Sequence, residues 1–340
     1  MKYFAYIFIV ISLIFSFCFC ETYTKKDIIE LEKKCKNRDF ESCGVLGILY
    51  DKGHGVKQNY KKSSEFYALA CENDYSFGCN NLGVLYEQGL GVKKNYDKAK
   101  NLYEKSCLNQ YGLGCYNLAI LYENGVGVDK DNQKAILFYE KSCQNGYVLG
   151  CNNLGIFYAN KNNQRYDLKL AKEYFQKACD GSSALGCNNL GVSYASGQGT
   201  IKDFNKAKNL FLKACNGGYM LGCYNMGNAY KFGLGVEKNY SKAIEYFTKA
   251  CSGGVGESCY NLGILYYNSN AIKDNYKKSA DFYEKACNEN IGEACYDLGI
   301  LYISGKYIEK NANQAIKLFE KSCKLGYKQG CKLSEKFSSN

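Results

Sequence analysis

Cysteine is the residue type whose spacing in this chain can do chemistry. Cys35, Cys71, Cys107, Cys143, Cys179, Cys215, Cys251, Cys287 and Cys323 recur every 36 residues. Each has a partner eight positions on: Cys43, Cys79, Cys115, Cys151, Cys187, Cys223, Cys259, Cys295 and Cys331. Thiols so arranged can form disulfides, hold zinc or act as nucleophiles. Zinc fits poorly, because the spacing is C-x7-C rather than C-x2-C and His54 is the only histidine. No metal and no cofactor is expected. Disulfides have two conceivable registers. Pairing each cysteine with the one eight residues on leaves none over, whereas pairing Cys43 with Cys71 strands Cys35 and Cys331, so the first is preferred. Closing so small a loop stabilises by about 2–3 kcal/mol per bridge in the chain-entropy account.

A second repeated set carries hydrogen-bonding chemistry. Asn81, Asn117, Asn153, Asn189, Asn225 and Asn261 each stand two residues after a second cysteine, and Asp297 takes the place in the next repeat. The residue before is Asn or Tyr: Asn80, Tyr116, Asn152, Asn188, Tyr224, Tyr260 and Tyr296. A ladder of carboxamides with tyrosines between them can hold the backbone or C-terminal carboxylate of an extended peptide. The same ladder can instead satisfy neighbouring repeats. Exposure separates the two, since open side chains favour binding and buried ones favour structure.

The elements that position these residues follow from the period, which at 36 residues is that of a solenoid. Helix A of each repeat is expected to begin at the second cysteine, as in Cys79–Gly89, with Leu82, Leu85 and Tyr86 at helical spacing. Gly89 and Gly91 end it. Asn95 caps helix B over Tyr96–Cys107, whose apolar stripe is Ala99, Leu102, Tyr103 and Ser106. A glycine recurs inside helix A at 47, 83, 155, 191, 227, 263 and 299, with Ala119 the exception. An interior glycine costs about 1 kcal/mol against alanine, so a repeated one needs a steric reason. The small residues Ser63, Ala99, Ala135, Ala171, Ala207, Ala243, Ser279 and Ala315 on helix B suggest two small surfaces pressed together. The tyrosine three residues after the helix A position, Tyr50 through Tyr302, is read as core between repeats. Loops at Lys161 and Asn163, at Ser269 and Ala271, and at Gly305 and Tyr307 depart from the pattern and should differ locally.

Residues 1–20 hold one lysine and then an apolar run, which predicts a signal peptide cleaved after Cys20. Residues 21–340 are then one solenoid domain, with a lone helix at 27–35, eight helix pairs over 43–322 and a cap at 323–340. Loss of Lys2 lowers the formal charge from +11 to +10. Lysines and glutamates are interspersed, so the charge is a solvated face, and no nucleic-acid motif is present. Paired cysteines and export together imply an oxidising compartment, periplasmic or extracellular. The expected product is a monomer with no membrane segment after cleavage.

The stretch LGVLYEQGLGVKKNYDKAKNLYEKSC resembles the Sel1-like repeat, a relative of the tetratricopeptide repeat, through Leu82, Gly83, Tyr86, Gly89, Gly91, Val92, Ala99, Tyr103 and Lys105. With its cysteine pairs the chain is similar to the Helicobacter cysteine-rich proteins over residues 27–337. That resemblance implies an all-α fold, a right-handed αα-superhelix with one disulfide per repeat, and interaction with protein or peptide partners outside the cytoplasm. Members of the family are also described as penicillin-binding proteins or β-lactamases, so a β-lactam is a second ligand class it implies. The residues give that activity no machinery. No serine stands three before a lysine, as S-x-x-K chemistry requires. One histidine cannot build a metallo site, and His54, in the loop DKGHGV, is expected to be exposed.

Overall fold

A computed structural model describes residues 23–338 except 164, 269–274 and 306–308, with no side chain described at 338. The expected signal peptide, with Cys18 and Cys20, and the divergent loop residues Ser269, Ala271 and Tyr307 lie outside the described residues. The chain divides into two compact units, at Cys151/Asn152. Among the described residues each is all helical, with consecutive helices packed as antiparallel pairs.

In the first unit, α1 (Lys25–Lys36) is followed by the hairpins α2 (Phe40–Lys52)/α3 (Tyr60–Glu72), α4 (Ser76–Gln88)/α5 (Tyr96–Leu108) and α6 (Gly112–Asn124)/α7 (Asn132–Gln144). Helix α8 (Val148–Ala159) spans the division, and with α9 (Leu168–Asp180) it makes the fourth hairpin. The second unit continues with α10 (Ala184–Ser196)/α11 (Phe204–Asn216), α12 (Met220–Phe232)/α13 (Tyr240–Ser252), α14 (Gly256–Tyr267)/α15 (Asn275–Asn288) and α16 (Gly292–Ser304)/α17 (Ala312–Lys324). Helix α18 (Lys328–Ser338) ends it.

Helix B begins where the sequence placed it: Asn95 accepts from the Lys98 amide at 2.9 Å. Gly89 ends helix A at φ 76°, a left-handed angle that a Cβ disfavours. Helix A, however, starts three residues earlier than expected, at Ser76 rather than Cys79. The turn between α3 and α4 is therefore only Asn73, Asp74 and Tyr75, and both cysteines of the bridge lie inside helices. One residue of each such turn is left-handed at the same phase, as at Asp74 (φ 63°) and Gly218 (φ 85°).

Nine disulfides join the cysteines eight apart, with Cα–Cα distances from 4.4 Å (Cys179–Cys187) to 4.9 Å (Cys35–Cys43), within the span a bridge tolerates. Each staples the end of one helix B to the first turns of the next helix A. Lys105 adds a second fastening. Its ammonium donates to the Cys71 carbonyl at 2.7 Å and pairs with Asp74 at 3.0 Å, closing the C-terminus of α3. Lys213 does the same for the Cys179 carbonyl at 2.9 Å.

The helix A glycine meets an aromatic ring, not only a small surface. A methyl at Gly83 would stand 2.7 Å from the ring of Tyr103, and one at Gly191 2.7 Å from that of Phe211. The small helix B residue sits beside this contact, and Ser63 uses it to donate to the Gly47 carbonyl at 2.8 Å. The tyrosine three residues on packs between repeats, as Tyr230 does against the cluster of Ala207, Phe211 and Met226, and it also stacks within its own repeat. Tyr50 stacks on Phe66 at 5.6 Å and Tyr230 on Tyr246 at 5.7 Å, with Lys62 and Lys242 over the rings of Tyr50 and Tyr230.

Candidate ligand-binding site

The carboxamide positions separate into two kinds. Asn80, Asn152 and Asn188 are buried, at 5% exposure or less. Asn81, Asn117, Asn153, Asn189, Asn225 and Asn261 are partly exposed. Between repeats, Asn117 Nδ2 donates to Asn80 Oδ1 at 2.9 Å. In the second unit the bonds connect head to tail. Asn225 donates to Asn188 at 2.9 Å, Asn188 to Asn189 at 3.4 Å, Asn189 to Asn152 at 2.9 Å, and Asn152 to Asn153 at 3.5 Å. Four amides thus orient a fifth, and each polarises the next. The chain of donors leaves Asn225 Oδ1 with no protein donor among the described residues.

Elsewhere the ladder is closed by local partners. Asn81 donates to its own Phe77 carbonyl at 2.9 Å. Asn261 donates to the Glu257 carbonyl at 2.8 Å and accepts from Lys231 Nζ at 2.6 Å. Asp297 accepts from the Tyr260 hydroxyl at 3.0 Å. Tyrosines in the preceding repeat also stand before Asn153 and Asn261, so nothing in the structure explains why the rung at Asp297 carries a carboxylate. Burial holds the Asp297 carboxyl above the usual range, although the hydroxyl bond works the other way. Burial first, and then that carboxylate, push the Tyr260 phenol up.

Two cavities open beside this chain of amides, both within the second unit. One, of about 530 Å³, is lined by residues that include Ile156, Ala159, Leu168, Phe175, Asn189 and Val192. The other, of about 380 Å³, is lined by residues that include Val192, Ala195, Phe204, Phe211, Asn225 and Leu234. Shifted by the repeat period, Ala159 becomes Ala195, Leu168 becomes Phe204, Phe175 becomes Phe211 and Asn189 becomes Asn225. They are one pocket built twice, with Val192 as the shared wall. Ile156 and Val192 are 49% and 41% exposed.

The cause of the cavities is the residue at the end of helix A. In the second and third hairpins it is Glu87 or Glu123, and the facing ring is Tyr103 or Tyr139, whose hydroxyl donates to that carboxylate. In the fourth and fifth hairpins it is Ala159 or Ala195, the ring is phenylalanine, and nothing fills the space. In the sixth it is Lys231, which reaches across to Asn261. Burial draws that ammonium below its usual range. Of the six asparagines singled out in the sequence, Asn189 and Asn225 line the pockets. Sequence reasoning missed Ala159, Ala195, Phe175 and Phe211, although the pairing of acid with tyrosine in the second and third repeats and of alanine with phenylalanine in the fourth and fifth was there to be read.

No described group of three or more His, Cys, Asp or Glu residues could hold a metal ion. His54 is only partly exposed, in the loop after α2. No described helix is long and apolar enough to cross a membrane.

Repeated hairpins, each stapled to the next and together presenting shallow pockets, define a helical-repeat scaffold of the kind that mediates protein–protein interaction. The chain belongs to the Sel1 repeat family, which matches at residues 41–75, 76–111, 112–147, 148–183, 184–219, 221–255, 256–291 and 292–327. Among solved structures it is similar to a protective antigen of uropathogenic Escherichia coli with an SLR fold (24% identity, TM-score 0.76). That match covers 89% of this chain and 65% of the antigen, so this chain spans just under two thirds of its length. It is also similar to a Sel1 repeat protein from Oxalobacter formigenes (20% identity, TM-score 0.69, covering 90% of this chain and 89% of that one). Cysteine rich protein B of Helicobacter pylori matches at 35% identity and a TM-score of 0.33, over 41% of this chain and 99% of its own. No curated protein matches this chain.

Proposed function

We propose that the protein is a secreted or periplasmic scaffold that binds a protein or peptide segment in the groove formed by the paired pockets of its fourth to sixth hairpins. The observation that carries the reading is the duplicated pocket with exposed Ile156 and Val192 beside an acceptor, Asn225 Oδ1, held in place by its amide chain. Apolar cavities with a few fixed polar groups are what ligand sites consist of. The nine disulfides are compatible with an oxidising compartment.

The test uses the chain's own alternative. Ala159→Glu with Phe175→Tyr, and Ala195→Glu with Phe211→Tyr, install in the fourth and fifth hairpins the seam of the second and third. Peptides selected from a random 12-residue display library on the oxidised full chain should lose at least tenfold in affinity for this fourfold variant. Equal binding to both proteins, or no selection above background, would overturn the groove. The same preparation should show no β-lactam turnover. Turnover that persists to constant specific activity would replace the scaffold reading with an enzyme.

A further inference from the structure

The two pockets are equivalent by the repeat but unequal in charge, and their spacing is fixed by helix packing. We propose that they take a peptide in the polyproline II conformation, with apolar side chains at positions i and i+3 and an acidic residue next to the second. The proposal rests on the groove reading above and names its ligand class.

Spacing carries the first half. The pockets repeat from α10 to α12, which touch each other, and packed helices lie about 8–10 Å apart. An extended β ligand puts same-face side chains at i and i+2, about 7 Å apart, or at i and i+4, about 13 Å apart, so neither matches. A polyproline II segment turns once in three residues and rises about 9 Å in doing so, which brings i and i+3 to one face at the pocket interval. It also makes no internal hydrogen bonds, so its backbone N–H groups are free to donate to Asn225 Oδ1. Its low conformational entropy lessens the cost of ordering on a shallow surface.

Charge carries the second half. The residues lining the first pocket carry no charge. Lys202 and Lys208 line the second, and Lys202 stands 4.7 Å over the ring of Phe204, at the pocket wall. An acid beside the second anchor meets both ammonium groups, while one beside the first meets neither. The asymmetry therefore sets the direction in which the ligand lies.

The experiment measures fluorescence anisotropy of labelled synthetic peptides on the oxidised full chain. The host is proline-rich and carries two leucines separated as i,i+2, i,i+3 or i,i+4, with Glu or Lys after the second. A helical peptide with leucines at i and i+7, about 10.5 Å apart, is the competing class. The i,i+3 peptide with Glu should bind at least tenfold more tightly than the other spacings and than its Lys counterpart. Lys202→Glu with Lys208→Glu should reverse the Glu/Lys preference without changing the spacing preference. Equal or tighter binding by another spacing or by the helix overturns the ligand class, as does the absence of binding by every synthetic peptide. If library-selected peptides still lose affinity for the fourfold variant, the groove stands and only its ligand class falls. If they do not, both fall.

Discussion

The second hairpin and the fifth have the same frame and opposite interiors. In each, a helix A glycine receives a buried helix B ring, Gly83 under Tyr103 and Gly191 under Phe211. In each, the helix B that ends the repeat is stapled to the next helix A, through Cys107–Cys115 and Cys215–Cys223. They part at the end of helix A. Glu87 accepts from the Tyr103 hydroxyl at 2.6 Å, with the phenol pushed up by burial and by that bond, and the space is filled. Ala195 leaves Phe211 as the floor of a cavity. A repeat scaffold can thus vary one contact per hairpin without touching the parts that hold it together. The comparison makes a sharp division: staple and glycine seat should matter equally in both hairpins, and the ring hydroxyl should matter in only one.

The largest effect tests the shared part. Replacing both cysteines of one bridge, Cys107→Ser with Cys115→Ser or Cys215→Ser with Cys223→Ser, should cost about 2–3 kcal/mol in either place, because the loops are of equal length. Denaturant midpoints of the two variants, measured against the parent, check this. A loss confined to one hairpin would mean that the frames are not equivalent.

Next is the glycine seat. Gly83→Ala and Gly191→Ala each press a methyl against a buried ring. Overpacking costs about 1–3 kcal/mol, and the helix propensity of alanine returns about 1 kcal/mol, so a net loss of about 1 kcal/mol is expected at both. The natural Ala119 shows that the seat can be rebuilt around a methyl in one repeat, where both it and Tyr139 are buried. Thermal unfolding of the two variants decides: a gain in stability at either position would show that the ring yields freely.

The third effect is where the hairpins should differ. Tyr103→Phe removes a hydrogen bond to Glu87 and should cost about 1 kcal/mol. Phe211→Tyr alone adds a hydroxyl with no acid to receive it, and should change stability by less than that. Adding Ala195→Glu to Phe211→Tyr should recover a coupling energy in a double-mutant cycle. If the cycle closes with no coupling, the Tyr–acid pair is incidental and the pocket has another cause.

Most of the frame was legible in the sequence because a contact repeated eight times writes itself as a period. The pairing of Cys71 with Cys79, the Asn95 cap and the Gly89 terminator all recur at one phase, and each has a local physical cause. The start of helix A is three residues earlier than the cysteine suggests because the cysteine hides inside the helix, while the true signal, a left-handed residue at Asp74 or Gly218, is shared between Arg, Asp, Gln, Gly, Ser and Asn. Periodicity shows that the tyrosines recur in the core between repeats but not every neighbour each one faces. Tyr230 meets the core of the preceding hairpin and also stacks on Tyr246 of its own, and periodicity points only to the first. The pocket was least legible of all. It comes from what Ala159 and Ala195 lack, and a missing side chain leaves no pattern unless the repeats are compared position by position.

The smallest effect lies at the far end of the amide row, where Asp297 stands in place of asparagine. Its carboxyl is held above the usual range by burial, so the folded state binds a proton more readily there than the unfolded chain does. Stability linked to this group is therefore present at pH below the ordinary carboxylate value of 3.8 and is lost as pH rises from that value through the raised one. Asp297→Asn keeps an acceptor for the Tyr260 hydroxyl and removes the buried charge. The variant should unfold at a slightly higher temperature than the parent at pH 7, and the difference should vanish at pH 3. This position separates the two ways of closing a rung, amide on amide as at Asn117 and Asn80, or carboxylate on phenol. A parent more stable than the variant at pH 7 would show that the charged hydrogen bond outweighs its desolvation. In that case the carboxylate is favoured for strength as well as for geometry.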